Sequence, residues 1–249
     1  VNKIERAQSN ADEKTYVIYE GASAPSIILG ENVLLVSDVE WDLIAKFKIG
    51  GTQTITLDRN IELTLPLTLN HTDANITVDL GTYSITNKTT SDYDNCGETE
   101  CYVFEVKAGT LNITGTTGSV NAVGGSDYDM AVFANTNGKV NIIGGKFTNL
   151  GKENDGSDLI YARDNAVVAI SGGEFEAGNK SSDVGGQYVA LNLKDKSEAT
   201  IVVTGGMFHK FDPAYNVSEN PKKNFVATGY SSVKGEDDTY VVSKTSVEQ

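Results

Sequence analysis

Apolar and polar residues alternate with period two through most of the chain after residue 52, and one short pattern recurs. Val140-Asn-Ile-Ile-Gly-Gly-Lys-Phe-Thr-Asn149 is its clearest copy. Leu111-Asn-Ile-Thr-Gly115 precedes it, and Val168-Ala-Ile-Ser-Gly-Gly-Glu-Phe175 and Ile201-Val-Val-Thr-Gly-Gly-Met-Phe208 follow. In each copy an apolar-x-apolar triplet is followed two residues on by Gly. In three copies Phe stands three residues after that Gly. The glycines fall at 115, 144, 172 and 205, in steps of 29, 28 and 33 residues. A motif of fixed order at this spacing predicts a repeat architecture.

Taken in order, residues 1–14 are charged and lack periodicity. Thr15–Tyr19 and Asn32–Val36 read as strands on either side of a Gly/Ala/Ser/Pro turn region. One helix follows. Ser37 or Asp38 can cap it, Glu40 and Asp42 lie in its first turn, and Gly50-Gly51 ends it. Trp41, Leu43, Ile44 and Phe47 put apolar groups on one side of it, which suits a cap over the open end of a repeat stack. Thr54–Leu57, Ile61–Leu65, Leu67–Leu69 and Ile76–Leu80 then alternate as short strands. From Tyr102 the pattern predicts three strands per repeat. Tyr102–Val106, Met130–Asn135, Leu159–Ala162 and Tyr188–Leu191 take the first place, the apolar-x-apolar triplets the second, and the Gly-Gly-x-Phe segments the third. Asn and Gly at Thr136-Asn-Gly138 and Gly144-Gly145 are expected to supply positive φ at the corners.

Three short strands and three corners in roughly 30 residues make one turn of a parallel β-helix, with turns stacked about 4.8 Å apart. The expected fold is therefore all-β: a single parallel solenoid of about five turns. Residues 1–51 form an N-terminal segment with the capping helix. Residues 52–249 form the solenoid, closed from about 211 by strands at Phe225–Tyr230 and Thr239–Ser243. Stacking predicts inward ladders Leu111/Val140/Val168/Ile201 and Ile113/Ile142/Ile170/Val203, with Phe147, Phe175 and Phe208 as a third. The outward ladders are Lys146/Glu174/Met207 and Thr148/Glu176/His209.

Charge narrows the partners. Twenty Lys and Arg stand against 34 Asp and Glu, a formal net charge of −14. Such an excess opposes nucleic acid and anionic membrane surfaces. No apolar run approaches the roughly 18 residues of a membrane span, so no membrane insertion is expected. Val1 at the start is read as a processed or trimmed N-terminus, compatible with export and a removed signal peptide. Cys96 and Cys101, in Cys-Gly-Glu-Thr-Glu-Cys, form a local disulfide in an oxidising compartment and are free thiols otherwise. One Cys pair without His is too small a ligand set for structural zinc.

The chain resembles right-handed parallel β-helix proteins of the pectin-lyase-like superfamily, in particular uncharacterised surface proteins of gut bacteria. The resemblance rests on the helix followed by Gly50-Gly-Thr-Gln-Thr-Ile-Thr-Leu57, on Ile76-Thr-Val-Asp-Leu-Gly-Thr-Tyr-Ser-Ile-Thr86 and on the three Gly-Gly-x-Phe copies. It extends to the Met207-Phe-His-Lys-Phe-Asp-Pro213 exit and the Val226-Ala-Thr-Gly-Tyr230 ending, covering roughly residues 38–243. It implies right-handed winding. It spans polysaccharide lyases, polygalacturonase-like hydrolases, phage tailspikes and surface adhesins, so it specifies fold more than activity.

Two groups of residues are candidates for chemistry. Glu174 and Glu176 lie two apart on one strand face, with His209 across from Glu176. A carboxylate pair there suits acid–base work, while the plainer reading is exposed cross-turn ion pairs, Lys146 with Glu174 and Glu176 with His209. The second group lies on the third corner: Asp127, Asp129, Asp155, Asp158 and Asp183, with Tyr93 and Tyr128. Asp92, Asp94, Glu98 and Glu100 come from a neighbouring acidic insertion. Stacked carboxylates there are a candidate Ca²⁺ site or a solvated rim, and the tyrosines suit sugar rings. No other cofactor is expected. The reading that follows is a secreted or cell-surface binding or adhesion module for a polysaccharide or host glycan. A lyase or glycoside hydrolase using Glu174 and Glu176, or a structural spacer or appendage subunit, are the alternatives.

Overall fold

In the structure, a computed structural model, the period-two segments pair side by side as in-register, mostly parallel strands. The structure describes residues 16–19, 26–29, 32–35, 38–87, 100–123, 128–149, 158–181, 184–216, 218 and 223–246. The chain divides into two units, 1–46 and 47–249. The described part of the shorter unit opens with an antiparallel sheet of Tyr16–Tyr19, Ser26–Leu29 and Asn32–Leu35 and ends within a helix. The middle strand occupies the segment expected to turn. The helix Asp38–Ile49 follows, as expected, and stops where Gly50 and Gly51 adopt φ of +73° and +74°.

The longer unit is built on three ladders. The first runs through the leading halves of Leu67–Asp79 and Glu100–Thr114, then Tyr128–Ala134, Ile160–Ala162 and Leu191–Leu193. The second runs from Thr52–Thr56 through the trailing halves of the same two long strands to Lys139–Ile142, Val167–Ile170 and Thr200–Val203. The third joins Ile61–Leu63, Ser84–Asn87, Ser119–Ala122, Lys146–Asn149, Glu174–Ala177 and Gly206–His209. All of these pairings are parallel. The expected ladders appear residue for residue: Val140 pairs with Leu111 and Val168, and Phe175 with Phe147 and Phe208. Two expected corners are not breaks. Leu67–Asp79 and Glu100–Thr114 each pass through the bend as one strand, the bend taken up by a register shift near Asn70 and by Gly109 at φ +77°.

The third ladder carries three of the core aromatics. Alternate residues of Lys146–Asn149 and Glu174–Ala177 turn inward, so the column Ile61, Ile85, Val120, Phe147, Phe175, Phe208 is buried throughout. The Phe147–Phe175 and Phe175–Phe208 rings stack with centroids 5.1 and 4.7 Å apart. Each buried ring contributes about 2–3 kcal/mol from area alone, and each stacked pair about 1 kcal/mol more.

The paired glycines have two separate causes. A Cβ on Gly144, Gly172 or Gly205 would lie 2.5, 2.3 or 2.2 Å from a carbonyl oxygen of the preceding row. The next residue in each pair, Gly145, Gly173 or Gly206, has φ between +97° and +112°. The other corner corrects the expectation from sequence. Positive φ falls on Thr136 (+53°), Asp164 (+60°) and Lys196 (+62°), not on Asn137 or Gly138. Gly138 is needed for space, since a Cβ there would sit 2.0 Å from the Val106 oxygen. A β-branched residue at positive φ is a strained placement.

A polar column lies inside the third corner. Asn87 and Asn149 are buried and alternate with Ala122 and Ala177 along the ladder. Asn149 Oδ1 accepts from Gly178 N at 2.8 Å, and its Nδ2 donates to the Asp129 carbonyl at 2.8 Å. Asn87 Oδ1 accepts from Val123 N at 2.7 Å. The small alanines leave room for these amides to bond backbone of their own row and of the next.

The C-terminal end reverses direction. Thr239–Lys244 pairs antiparallel with Gly206–His209, and Tyr230–Lys234 pairs antiparallel with Thr239–Lys244. The sheets are therefore mixed. Phe225–Tyr230, expected as a strand, is not one: Val226 makes an isolated bridge to Val203, and Gly229 at φ +84° breaks the run before Tyr230.

Two substitutions test this account by urea denaturation. Gly172→Ala should lower stability by about 1–3 kcal/mol, because its Cβ meets backbone that cannot yield. Asn149→Ala should cost about 1–3 kcal/mol by removing the side-chain hydrogen bonds to Gly178 N and the Asp129 carbonyl. Losses below about 0.5 kcal/mol would refute the close stacking and the amide column respectively.

Candidate functional site

Alternation that buries Phe147, Phe175 and Phe208 turns their neighbours outward. Glu174 stands between Lys146 and Met207, and Glu176 between Thr148 and His209, as the repeat predicts. The expected pair Lys146–Glu174 is present, and the expected pair Glu176–His209 is not. Lys146 Nζ lies 3.1 Å from Glu174 Oε1 and 3.1 Å from Glu176 Oε2, bridging both carboxylates. His209 Nε2 reaches Glu174 Oε1 at 2.9 Å, diagonally across the ladder, and not its lateral neighbour Glu176. The reason is the company each carboxylate keeps. Met207, beside Glu174, offers no donor, so the imidazole and Lys146 both converge on Glu174. With the Nε2 proton on the carboxylate side, Nδ1 accepts from the Thr239 hydroxyl at 3.4 Å.

Electrostatics follow from these contacts. Partial burial works to raise the Glu174 carboxyl, but hydrogen bonds from Lys146 and His209 outweigh it and hold it below the usual carboxylate range. The same bond to Glu174, helped by Glu176, raises the Lys146 ammonium above its ordinary value against partial desolvation. The side chains of Lys146 and Glu174 are each 39% exposed, so each pair stabilises by less than about 1 kcal/mol. A general acid for glycoside cleavage must hold a proton near neutral pH. Glu174 is moved the other way, and Glu176 shares its only described cation with Glu174.

The acidic corner fares differently from its sequence reading. Tyr93, Cys96, Asp127, Asp155 and Asp183 lie outside the described residues, as do Asp92, Asp94, Glu98 and the side chains of Glu100, Cys101 and Tyr128. Asp129 is not on an exposed loop. It belongs to the strand Tyr128–Ala134 and is fully buried. Asp158 is buried too, and its Oδ2 accepts from Asn192 Nδ2 at 2.8 Å. Neither can form a solvated rim. Among the described residues, no group of three or more His, Cys, Asp or Glu is placed to hold a metal ion.

The sequence reading passed over a neutral row on the same outward face as Glu176. Asn121 Nδ2 donates to Thr86 Oγ1 at 3.1 Å, and Thr148 Oγ1 donates to Asn121 Oδ1 at 2.9 Å. Beyond Thr148 the row continues through Glu176 and His209 to Thr239. A second row lies on the other sheet, where Asn141 donates to Asn112, and Asn112 to Asn75, each at 2.8 Å. The signal for the latter was the middle residue of Leu111-Asn-Ile and Val140-Asn-Ile. A third group gathers near the first corner: Glu105, Lys107 and Asn135, beside the buried ring of Phe133 with the Arg163 guanidinium 4.8 Å above it.

No protein-family profile, curated protein or solved structure matches the chain.

The pH dependence of the ion cluster follows from the two shifts. Glu174 is depressed, so its contribution is present above the ordinary glutamate pKa and is lost as pH falls through its folded value. Lys146 is raised, so its contribution is present below the ordinary lysine pKa and fades as pH rises through its folded value. Glu174→Gln should therefore reduce stability by under about 1 kcal/mol at neutral pH and flatten the acid limb below the ordinary glutamate pKa. Urea midpoints across pH, wild type against variant, read this directly. Parallel curves would show that the cluster contributes nothing to folding.

Proposed function

We propose that the longer unit is a right-handed parallel β-helix acting as a secreted or cell-surface binding module for an extended polysaccharide or host glycan. The three parallel ladders, the three-strand repeat and the likeness of its motifs to pectin-lyase-like proteins support the winding. Phe47, at the start of the longer unit, stacks 6.0 Å from Phe104 of the first ladder. The antiparallel strands Thr239–Lys244 and Tyr230–Lys234 fit a cap at the C-terminal end.

One observation carries the binding reading. The outward face of the third ladder presents Thr86, Asn121 and Thr148 as hydroxyls and an amide, fixed by their mutual hydrogen bonds. Rows repeat every 4.8 Å or so, on the scale of a sugar ring. Sugar hydroxyls need donors and acceptors together, and a row of pre-oriented neutral groups supplies both at little ordering cost. An overall charge of −14 favours a neutral partner over a polyanion. Tyr93 and Tyr128, with Asp127, Asp155 and Asp183, remain proposed flanking contacts, with Ca²⁺ as a proposed aid. The lyase or hydrolase alternative is weaker on this geometry, because Lys146 and His209 hold Glu174 ionised. A structural spacer is the remaining alternative.

Incubation of the protein with a panel of polysaccharides, with and without Ca²⁺, tests the reading when retention and chain length are both measured. Neutral chains should be retained intact. The double variant Asn121→Ala, Thr148→Ala should weaken retention roughly thirtyfold, at about 1 kcal/mol for each of two hydrogen bonds lost. Glu176→Gln should leave retention and chain length unchanged. Shortened chains would overturn the binding reading and direct attention to Glu174 and Glu176. Intact chains that never associate would leave the spacer.

A further inference from the structure

Near the first corner an amine, a carboxylate and a carboxamide converge on one oxygen. Lys107 Nζ lies 3.3 Å from Glu105 Oε1. Asn135 Nδ2 donates to that same Oε1 at 3.0 Å. The other carboxylate oxygen accepts from Thr68 Oγ1 at 3.2 Å, which fixes its plane. Asn135 Oδ1 accepts from the Thr136 hydroxyl at 3.0 Å, which draws electrons away from the amide carbon.

Strand register brings these groups together. Val106 pairs with Ala134, and the ladder continues with Asn135 N donating to the Val106 oxygen and Asn137 N to the Lys107 oxygen. Lys107 and Asn135 thus occupy neighbouring positions on adjacent parallel rows, and Glu105 lies two residues before Lys107 on the same side of its strand. Glu105 is 6% exposed and Asn135 2%. Phe133, the register partner of Glu105, is buried beside them. Water, the competing nucleophile for the amide, is kept away, while Lys107, about a third exposed, retains a path by which ammonia can leave.

We propose that Lys107 and Asn135 become joined by an intramolecular isopeptide bond, with Glu105 carrying the proton. The Glu105 carboxylate takes a proton from the Lys107 ammonium, freeing the amine lone pair. Nζ attacks Asn135 Cγ, with the Thr136 hydroxyl on the developing oxyanion. The carboxylic acid returns its proton to Nδ2, the Cγ–Nδ2 bond breaks and the Nζ–Cγ bond remains. Ammonia leaves with the second amine proton as ammonium, and Glu105 ends as it began. No oxidant, metal or co-reactant enters the balance. The cross-link ties two adjacent rows through their side chains and does not depend on what the molecule binds.

Intact-mass spectrometry of the full-length chain, reduced and denatured, tests this directly. The bulk of the wild-type protein should be lighter than its sequence mass by one ammonia. Proteolysis should yield a branched peptide containing both Lys107 and Asn135, with no tryptic cleavage after Lys107. Lys107→Arg keeps the charge but removes the primary amine, and should restore the sequence mass. Glu105→Gln should do the same. A wild-type chain at its full sequence mass would overturn the proposal. So would an ammonia loss that persists in Lys107→Arg, since that would mark imide formation at Asn137-Gly138 instead.

Discussion

The closeness of one row to the next governs this molecule. Parallel strands pair at about 4.8 Å, and at the Gly-Gly corners that distance is kept through the bend itself. Ile143, Ser171 and Thr204 each donate a backbone hydrogen bond to the row below, at 2.7–2.8 Å. Just past them the chain runs so near the preceding carbonyl that no side chain fits at Gly144, Gly172 or Gly205. With the corners held, the Phe column falls into stacking contact and the rows outside it fall into register. Loosening a corner by even a methyl group would therefore be felt in the core and on the outer face together.

Because register is shared by all three ladders, polar side chains behave as columns rather than as individuals. Inside the third corner, Asn87 and Asn149 complete backbone bonding that the bend leaves open. Outside, Thr86, Asn121 and Thr148 hold one another in fixed orientations. Where charged groups enter the same columns, as at Lys146, Glu174, Glu176 and His209, they neutralise each other rather than standing free. The outward surface is thus largely self-satisfied, a property suited to weak, repeated contacts with a long partner.

Much of this was legible in the sequence because it depends on a repeated local pattern. The apolar triplets and the Gly-Gly-x-Phe segments gave the second and third ladders with their exact partners. Ser84–Asn87 and Ser119–Ala122 escaped notice as members of the third ladder, since Ile85 and Val120 stand where later rows carry Phe and their neighbours are mostly polar. The Thr136-Asn-Gly138 corner was misread for a physical reason. Positive φ is expected at Asn137 and Gly138, whereas Gly138 is there to clear a carbonyl and Thr136 bears the strain. The diagonal from His209 to Glu174 depends on which neighbour lacks a donor, and lateral register alone does not reveal it. Burial of Asp129 and Asp158 was equally hidden, because composition marks a loop as polar without showing where its ends enter the core.

The reversal of direction at Thr239–Lys244 has a consequence for how such a chain changes in length over generations. Each inner row offers its successor a parallel edge of the same kind, so duplicating or deleting one whole row leaves every junction chemically familiar. The final edge of the third ladder, Tyr230–Lys234, is antiparallel to its neighbour and cannot accept another copy of the motif in that pattern. Lineages can therefore grow or shrink by whole rows in the middle while the terminus is inherited intact, and the number of rows becomes a dial that evolution can turn without redesigning the end.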